Sequence, residues 1–116
     1  MRGSSIKPLD KFMVETYKLL MKHWREVAEE VADVCLELCE ECKVYVIGSV
    51  ARGTATALSD LDVLAVVPEN CEPRSLKKKL LKRVIWRIPY DYPLNLHVIE
   101  KGKEGKWLRR GFVEIR

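Results

Sequence analysis

Glutamine is absent from this chain of 116 residues, and asparagine occurs twice, against many lysines and glutamates. That balance leans toward a thermophilic source. No apolar run approaches the roughly 18 residues that a membrane span needs, and the first twenty residues hold no signal-peptide core. Membrane and secretory classes are therefore set aside, and a cytoplasmic protein is expected. A strong charge of one sign is missing too: 21 Lys+Arg against 17 Asp+Glu leave a net +4. A dedicated nucleic-acid binder concentrates more basic charge than that on one face. Four cysteines in such a chain do not read as the framework of a secreted disulfide domain. There is no internal repeat, no low-complexity segment, and no room for two catalytic domains. What remains, 47% hydrophobic and 33% charged, is the balance of one globular domain over residues 1–116.

Residues 1–42 read as a helical region. Met1 to Lys7 is polar and expected to fray. From Pro8 to Glu41, Leu9, Phe12, Met13, Leu20, Trp24, Val27, Val31, Val34, Cys35 and Leu38 step by three or four and share a face. Lys22, Arg25, Glu26, Glu29, Glu30 and Glu37 lie opposite. So long a helix in so small a domain is expected to break midway.

Residues 43–100 read as the core, with the order strand, strand, helix, strand. Val44 to Ile47 is a short strand ending at Gly48-Ser49. Leu61 to Val67 is a near-continuous apolar run, as in a strand covered on both faces. Pro73 suits a helix start, and the helix runs from Arg74 to Arg87, with Leu76, Leu80, Leu81, Val84, Ile85 and Ile88 inward. Trp24 and Trp86 fall on apolar stripes and read as core. Leu94 to Ile99 is the third strand. The fold class is α/β, a small mixed β-sheet flanked by helices. In the tail, 101–116, the pattern from Trp107 to Ile115 does not decide between helix and strand, and Trp107 is a candidate interface residue.

The segment from Gly48 to Asp62 carries the chemistry. Gly48-Ser49 at a strand end allows a tight turn that points N–H groups and a hydroxyl at an anion. Asp60 and Asp62, two apart at the start of a strand, project from one face, while Leu61 and Val63 point into the core. Paired carboxylates beside a phosphate-binding turn are what Mg²⁺ bound to a nucleoside triphosphate requires.

Gly48-Ser49, Arg52-Gly53 and Ser59-Asp60-Leu61-Asp62 together resemble the signature of the polymerase-beta-like nucleotidyltransferase superfamily, in particular its minimal nucleotidyltransferases. The resemblance covers about Val44 to Ile99. It implies that Gly48 and Ser49 hold the β- and γ-phosphates, that Asp60 and Asp62 bind Mg²⁺ (or Mn²⁺), and that a nucleoside monophosphate, from ATP, passes to a hydroxyl while pyrophosphate leaves. It places Arg52 near the triphosphate or bracing the loop, Gly53 in the same loop, and Ser59 either capping the loop or orienting Asp60. It also implies a third carboxylate on the last strand. There the sequence reads Asn95, a neutral oxygen that binds metal weakly and takes no proton. His97 faces the same side and is a candidate base or ligand, or a packing residue. Asp91 and Glu100 are the alternatives if the register shifts. The second reading is accordingly a noncatalytic nucleotide-binding subunit, antitoxin-like, paired with a small helical HEPN protein. A homo-oligomer is a further candidate assembly.

Cys35, Cys39 and Cys42, at i, i+4 and i+7, read as small fillers of a helix face. Zinc is disfavoured because its ligands usually come in closely spaced pairs on loops; a disulfide to Cys71 stays open. Lys77, Lys78, Lys79, Lys82, Arg83 and Arg87 form a solvated basic row, with Lys78, Lys82 and Lys79 aligned where an acidic partner or RNA could dock.

Overall fold

The computed structural model describes residues 8–116, with side chains from residue 11 onward. Met1 to Lys7 and the side chain of Leu9 lie outside the described residues. Among the described residues eight elements follow one another: α1 (Pro8–Leu38), β1 (Lys43–Ile47), α2 (Gly48–Arg52), β2 (Leu61–Val67), α3 (Pro73–Val84), β3 (Leu94–Glu100), α4 (Gly105–Leu108) and β4 (Val113–Glu114). The strands form one mixed sheet in the order β3-β2-β1-β4. β1 is antiparallel to β2 and to β4, whereas β2 and β3 run parallel. A parallel pair needs a crossover, and α3 supplies it.

Alternation sorts β2 onto two faces. Leu61, Val63, Ala65 and Val67 enter the main core with Leu20, Val27, Val31 and Val34 of α1 and with Leu76, Leu80 and Val84 of α3. Full burial of such side chains contributes roughly 1.5–3 kcal/mol each, so this layer carries most of the stability. Ile47, Leu64 and Val66 face the other way, beneath Tyr45, Ile99, Trp107 and Leu108. The expectation of a strand covered on both faces therefore holds, and the tail supplies the second cover.

Several expectations are corrected. α1 is unbroken over 31 residues and ends at Leu38, not Glu41. Its first turns pass beyond the core, leaving Phe12, Val14 and Tyr17 exposed. Cys39 and Cys42 lie past the helix, and the four cysteines are not free fillers: Cys35 is bonded to Cys42 and Cys39 to Cys71. The first bond folds the connection back onto the end of α1. The second ties that end to the loop before α3.

α3 starts at Pro73, and Glu72 caps it by accepting from the N–H groups of Arg74 and Ser75. It stops at Val84 rather than Arg87. A residue before proline avoids helical backbone, and with Pro89 ahead the chain leaves in tight turns through Trp86 and Arg87. Ile85 and Trp86 are therefore exposed, Trp86 at 85%, and not core. Trp24 is half-buried against the core. Tyr92, in the loop before β3, is buried and donates its hydroxyl to the carbonyl of Leu20 at 2.7 Å. Burial raises its phenol well above the ordinary value.

Candidate nucleotide site

The site lies where β1 ends and β2 and β3 begin. Gly48 follows the last residue of β1 with φ +73°, a conformation that side chains rarely tolerate. A Cβ at Gly48 would strike the carboxylate of Asp62. The register explains this closeness, because Ile47 pairs with Asp62 across β1 and β2. The turn then closes through Gly53, φ +75°, whose N–H bonds to the carbonyls of Ser49 and Val50. Thr54 donates its N–H to Ser49 O at 2.9 Å. The loop is thus held by its own backbone. Among the described residues the Ser49 hydroxyl makes no hydrogen bond, so it is available at the mouth of the turn.

Asp62 is half-buried on the face opposite the main core. Across the parallel pair its partner is Asn95, whose Nδ2 donates to Oδ1 at 2.9 Å. His97, two residues along β3 and so on the same face, sets Nε2 3.4 Å from the same oxygen. The other oxygen, Oδ2, is turned to Gly48. Asn95, and neither Asp91 nor Glu100, is therefore the β3 residue opposite Asp62. Asp91 lies exposed in the turn before β3, and Glu100 sits at the far end opposite Val67.

Asp60 is exposed and immediately precedes β2. The turn before it is built by Ser59, whose hydroxyl accepts from Thr56 N–H at 2.9 Å, and by Thr56, whose hydroxyl accepts from Leu58 N–H. Ser59 is a loop cap in this arrangement. The structure joins Gly48, Asp62, Asn95 and His97 in one contact set; among the described residues no side-chain hydrogen bond or ion pair ties Ser49, Arg52, Gly53, Ser59 or Asp60 to it. Among the described residues no group of three or more His, Cys, Asp or Glu gathers as a metal cage. The donor chemistry nonetheless fits Mg²⁺, which commonly uses one or two carboxylates and takes its other oxygens from substrate phosphates and water.

The tail packs against this end of the sheet, a placement the sequence did not reveal. Trp107, half-buried, packs over Ile47, Leu64 and Val66, and its ring lies 4.8 Å from that of His97. β4 holds this segment in place by pairing Val113 with Val46, while Phe112 meets Tyr45 edge-on. A cavity of about 400 Å³ results against Gly48, lined by Ile47, Arg52, Lys106, Trp107, Arg110 and Gly111. Three cations and no carboxylate line it. Arg52 lines this cavity and makes no side-chain hydrogen bond to the loop among the described residues. Lys106 and Arg110 belong to a segment without periodicity, so the sequence gives no sign of their placement.

Residues 20–116 match the family model described as a nucleotidyltransferase domain. Among solved structures, a Sulfolobus solfataricus protein assigned as a nucleotidyltransferase superposes with a TM-score of 0.61 at 19% identity, over 98% of this chain and 90% of that one. Another protein so assigned gives a TM-score of 0.55 at 25% identity, over 75% of this chain and 95% of its own. No curated protein matches the chain. The two structures share its architecture of a small mixed sheet with helices.

Proposed function

The chain belongs to the nucleotidyltransferase domain family, nucleotidyl-transferring enzymes that act on nucleoside triphosphates, and on that premise we propose a Mg²⁺-dependent enzyme that uses ATP. The observation that carries the reading is the apposition of Asp62 to the Gly48 turn beside a cavity lined by Arg52, Lys106 and Arg110. Phosphate oxygens are recognised by such guanidinium and ammonium donors and by turn N–H groups. Gly48, Ser49, Arg52 and Gly53 would hold the triphosphate, with Ser59 fixing the loop that presents Asp60.

Asp60 and Asp62 would hold Mg²⁺ (or Mn²⁺), which supplies charge neutralisation and alignment of the phosphates when bound. Asn95 holds the Asp62 carboxylate through its amide and cannot take a proton itself. The acceptor's hydroxyl oxygen forms a bond to the α-phosphorus while the bond from that phosphorus to the bridging oxygen breaks. Pyrophosphate leaves with that electron pair, and the hydroxyl proton passes to the imidazole of His97. Catalysis here is positioning and electrostatic stabilisation.

Pyrophosphate release from γ-labelled ATP tests this. It is expected to require Mg²⁺ and to fall at least about a hundredfold in Asp62→Asn, a loss typical of removing one electrostatic group. Equal release by the variant would refute the reading. Asn95 favours a second reading, a noncatalytic nucleotide-binding subunit whose acceptor or effector is a partner protein. That reading expects ATP binding without pyrophosphate release, together with copurification of a small helical protein of the HEPN kind or a stable homo-oligomer.

A further inference from the structure

Trp107 stands between two cavities. One is the cationic cavity against Gly48. The other, about 260 Å³, is lined by Pro73, Arg74, Lys77, His97, Val98, Ile99 and Trp107. It runs along the outer side of β3, an edge strand, and is open there. His97 belongs both to this groove and to the Asp62 contact set. A hydroxyl entering the groove therefore reaches the imidazole that contacts the Asp62 carboxylate, and the cationic cavity lies across the indole.

The charge of the groove comes from side chains. Glu72 already occupies the first N–H groups of α3, so Arg74 and Lys77 supply the positive rim. From Arg74 the row continues to Lys78 and Lys82, each four residues on and so about 6 Å further along the helix axis. This row lies opposite Leu76, Leu80 and Val84, the buried side of α3. Arg83 and Arg87 leave the basic set, since they reach Glu37 and Glu30 of α1. Among the described residues Arg74, Lys77, Lys78 and Lys82 form no ion pair. Like charges at i, i+4 disfavour a helix, and a polyanion lying along the row would relieve that repulsion.

We propose that the groove and the row bind the acceptor, a single-stranded nucleic acid. Its backbone phosphates follow Lys82, Lys78 and Arg74, and its terminal nucleotide enters between Lys77 and Trp107, where an indole offers a stacking wall. This rests on the nucleotidyl-transfer reading: the strand's terminal 3′ hydroxyl is the attacking oxygen of the step already described. The mild net charge of the chain hides this surface, because the acidic residues lie elsewhere, three of them on α1 in contact with Arg83, Arg87 and Arg116.

The test is anisotropy titration of fluorescent twelve-nucleotide RNA and DNA single strands, with ATP affinity measured separately on the same proteins. Wild type is expected to bind one or both strands with a log–log salt slope of about −2 to −3, from three or four phosphate contacts. Arg74→Glu/Lys78→Glu is expected to lose at least tenfold in strand affinity while keeping ATP affinity. Lys22→Glu, on the exposed side of α1, should change strand affinity less than threefold. A strand ending in a 3′-deoxy nucleotide should bind equally and accept no label from α-labelled ATP. Loss of strand binding in none of the variants, a flat salt dependence, or no strand binding beside intact ATP binding would overturn the proposal and leave the transfer reading standing. Absent ATP binding in wild type would overturn the transfer reading itself, and the acceptor role with it.

Discussion

Asn95 donates its side-chain amide to Oδ1 of Asp62 at 2.9 Å across the parallel pair of β2 and β3. A neutral donor thus occupies a place where a carboxylate would repel Asp62 in the absence of a cation. Asn95→Asp is expected to lower the melting temperature in EDTA and to enlarge the rise produced by Mg²⁺ relative to wild type. Thermal melts with and without the ion read both effects. An Mg²⁺-induced rise no larger than that of wild type would remove Asn95 from the cation's surroundings.

Gly48 tests the turn. Gly48→Ala places a Cβ against the Asp62 carboxylate at a positive φ, a strain of order 1–3 kcal/mol. ATP affinity is expected to fall at least tenfold while circular dichroism stays that of a folded protein. Unchanged affinity would mean that the tight approach of turn and carboxylate does not matter for binding.

His97 tests the proton. Its ring meets both Asp62 and Trp107, and a positioned base contributes roughly 10²–10⁴ in rate. His97→Gln should therefore cost about a hundredfold or more in turnover with ATP affinity changed little. A loss in ATP affinity with turnover intact would make the residue a packing group.

Tyr92 links stability to alkaline pH. Burial raises the pKa of its phenol above the ordinary 10, so above pH 10 the unfolded chain releases a proton that the folded chain retains. The stabilisation is complete below about pH 10 and is lost as pH rises beyond it. Tyr92→Phe is expected to cost about 1 kcal/mol at pH 7, where Leu20 loses its donor, and to flatten the alkaline decline in urea-midpoint measurements. An unchanged decline would place the alkaline sensitivity elsewhere.

The disulfides make a separate prediction. Cys39–Cys71 spans 32 residues of sequence, and closing a loop of that length stabilises by about 3–4 kcal/mol on chain-entropy grounds. Cys39→Ser/Cys71→Ser should lose about that much in denaturant unfolding, and a reducing agent should abolish most of the difference from wild type. Equal stability of wild type and variant under oxidising conditions would contradict the bond.

The parts of this fold legible in the sequence are those with strong local constraints. The run from Leu61 to Val67 is too apolar for anything but a doubly covered strand, and the Gly48-to-Asp62 segment combines a turn with two carboxylates at strand spacing. Helical spacing also locates α1 and α3, but it does not stop where the helices stop. Trp86 and Ile85 sit at helical intervals beyond Val84, and the approach to Pro89 turns them out to solvent. Cys39 and Cys42 fit the stripe of α1, yet the chain leaves the helix before them to pair with Cys71 and Cys35. The tail is illegible for another reason: a four-residue helix and a two-residue strand have no period to detect. Trp107, Lys106 and Arg110 are placed only by the pairing of β4 with β1, a contact between residues far apart in sequence. For the same cause the opposition of Asn95 to Asp62 needs the parallel register, which a strand pattern does not specify.

Titration calorimetry of ATP into wild type and into Asp60→Ala/Asp62→Ala, each in Mg²⁺ and in EDTA, measures whether the two carboxylates hold the nucleotide through the cation. Wild type is expected to bind ATP in a Mg²⁺-dependent way, and the variant to keep only an affinity at least about tenfold weaker and independent of Mg²⁺. ATP binding of equal strength in the two proteins, or in wild type with and without Mg²⁺, would contradict that role.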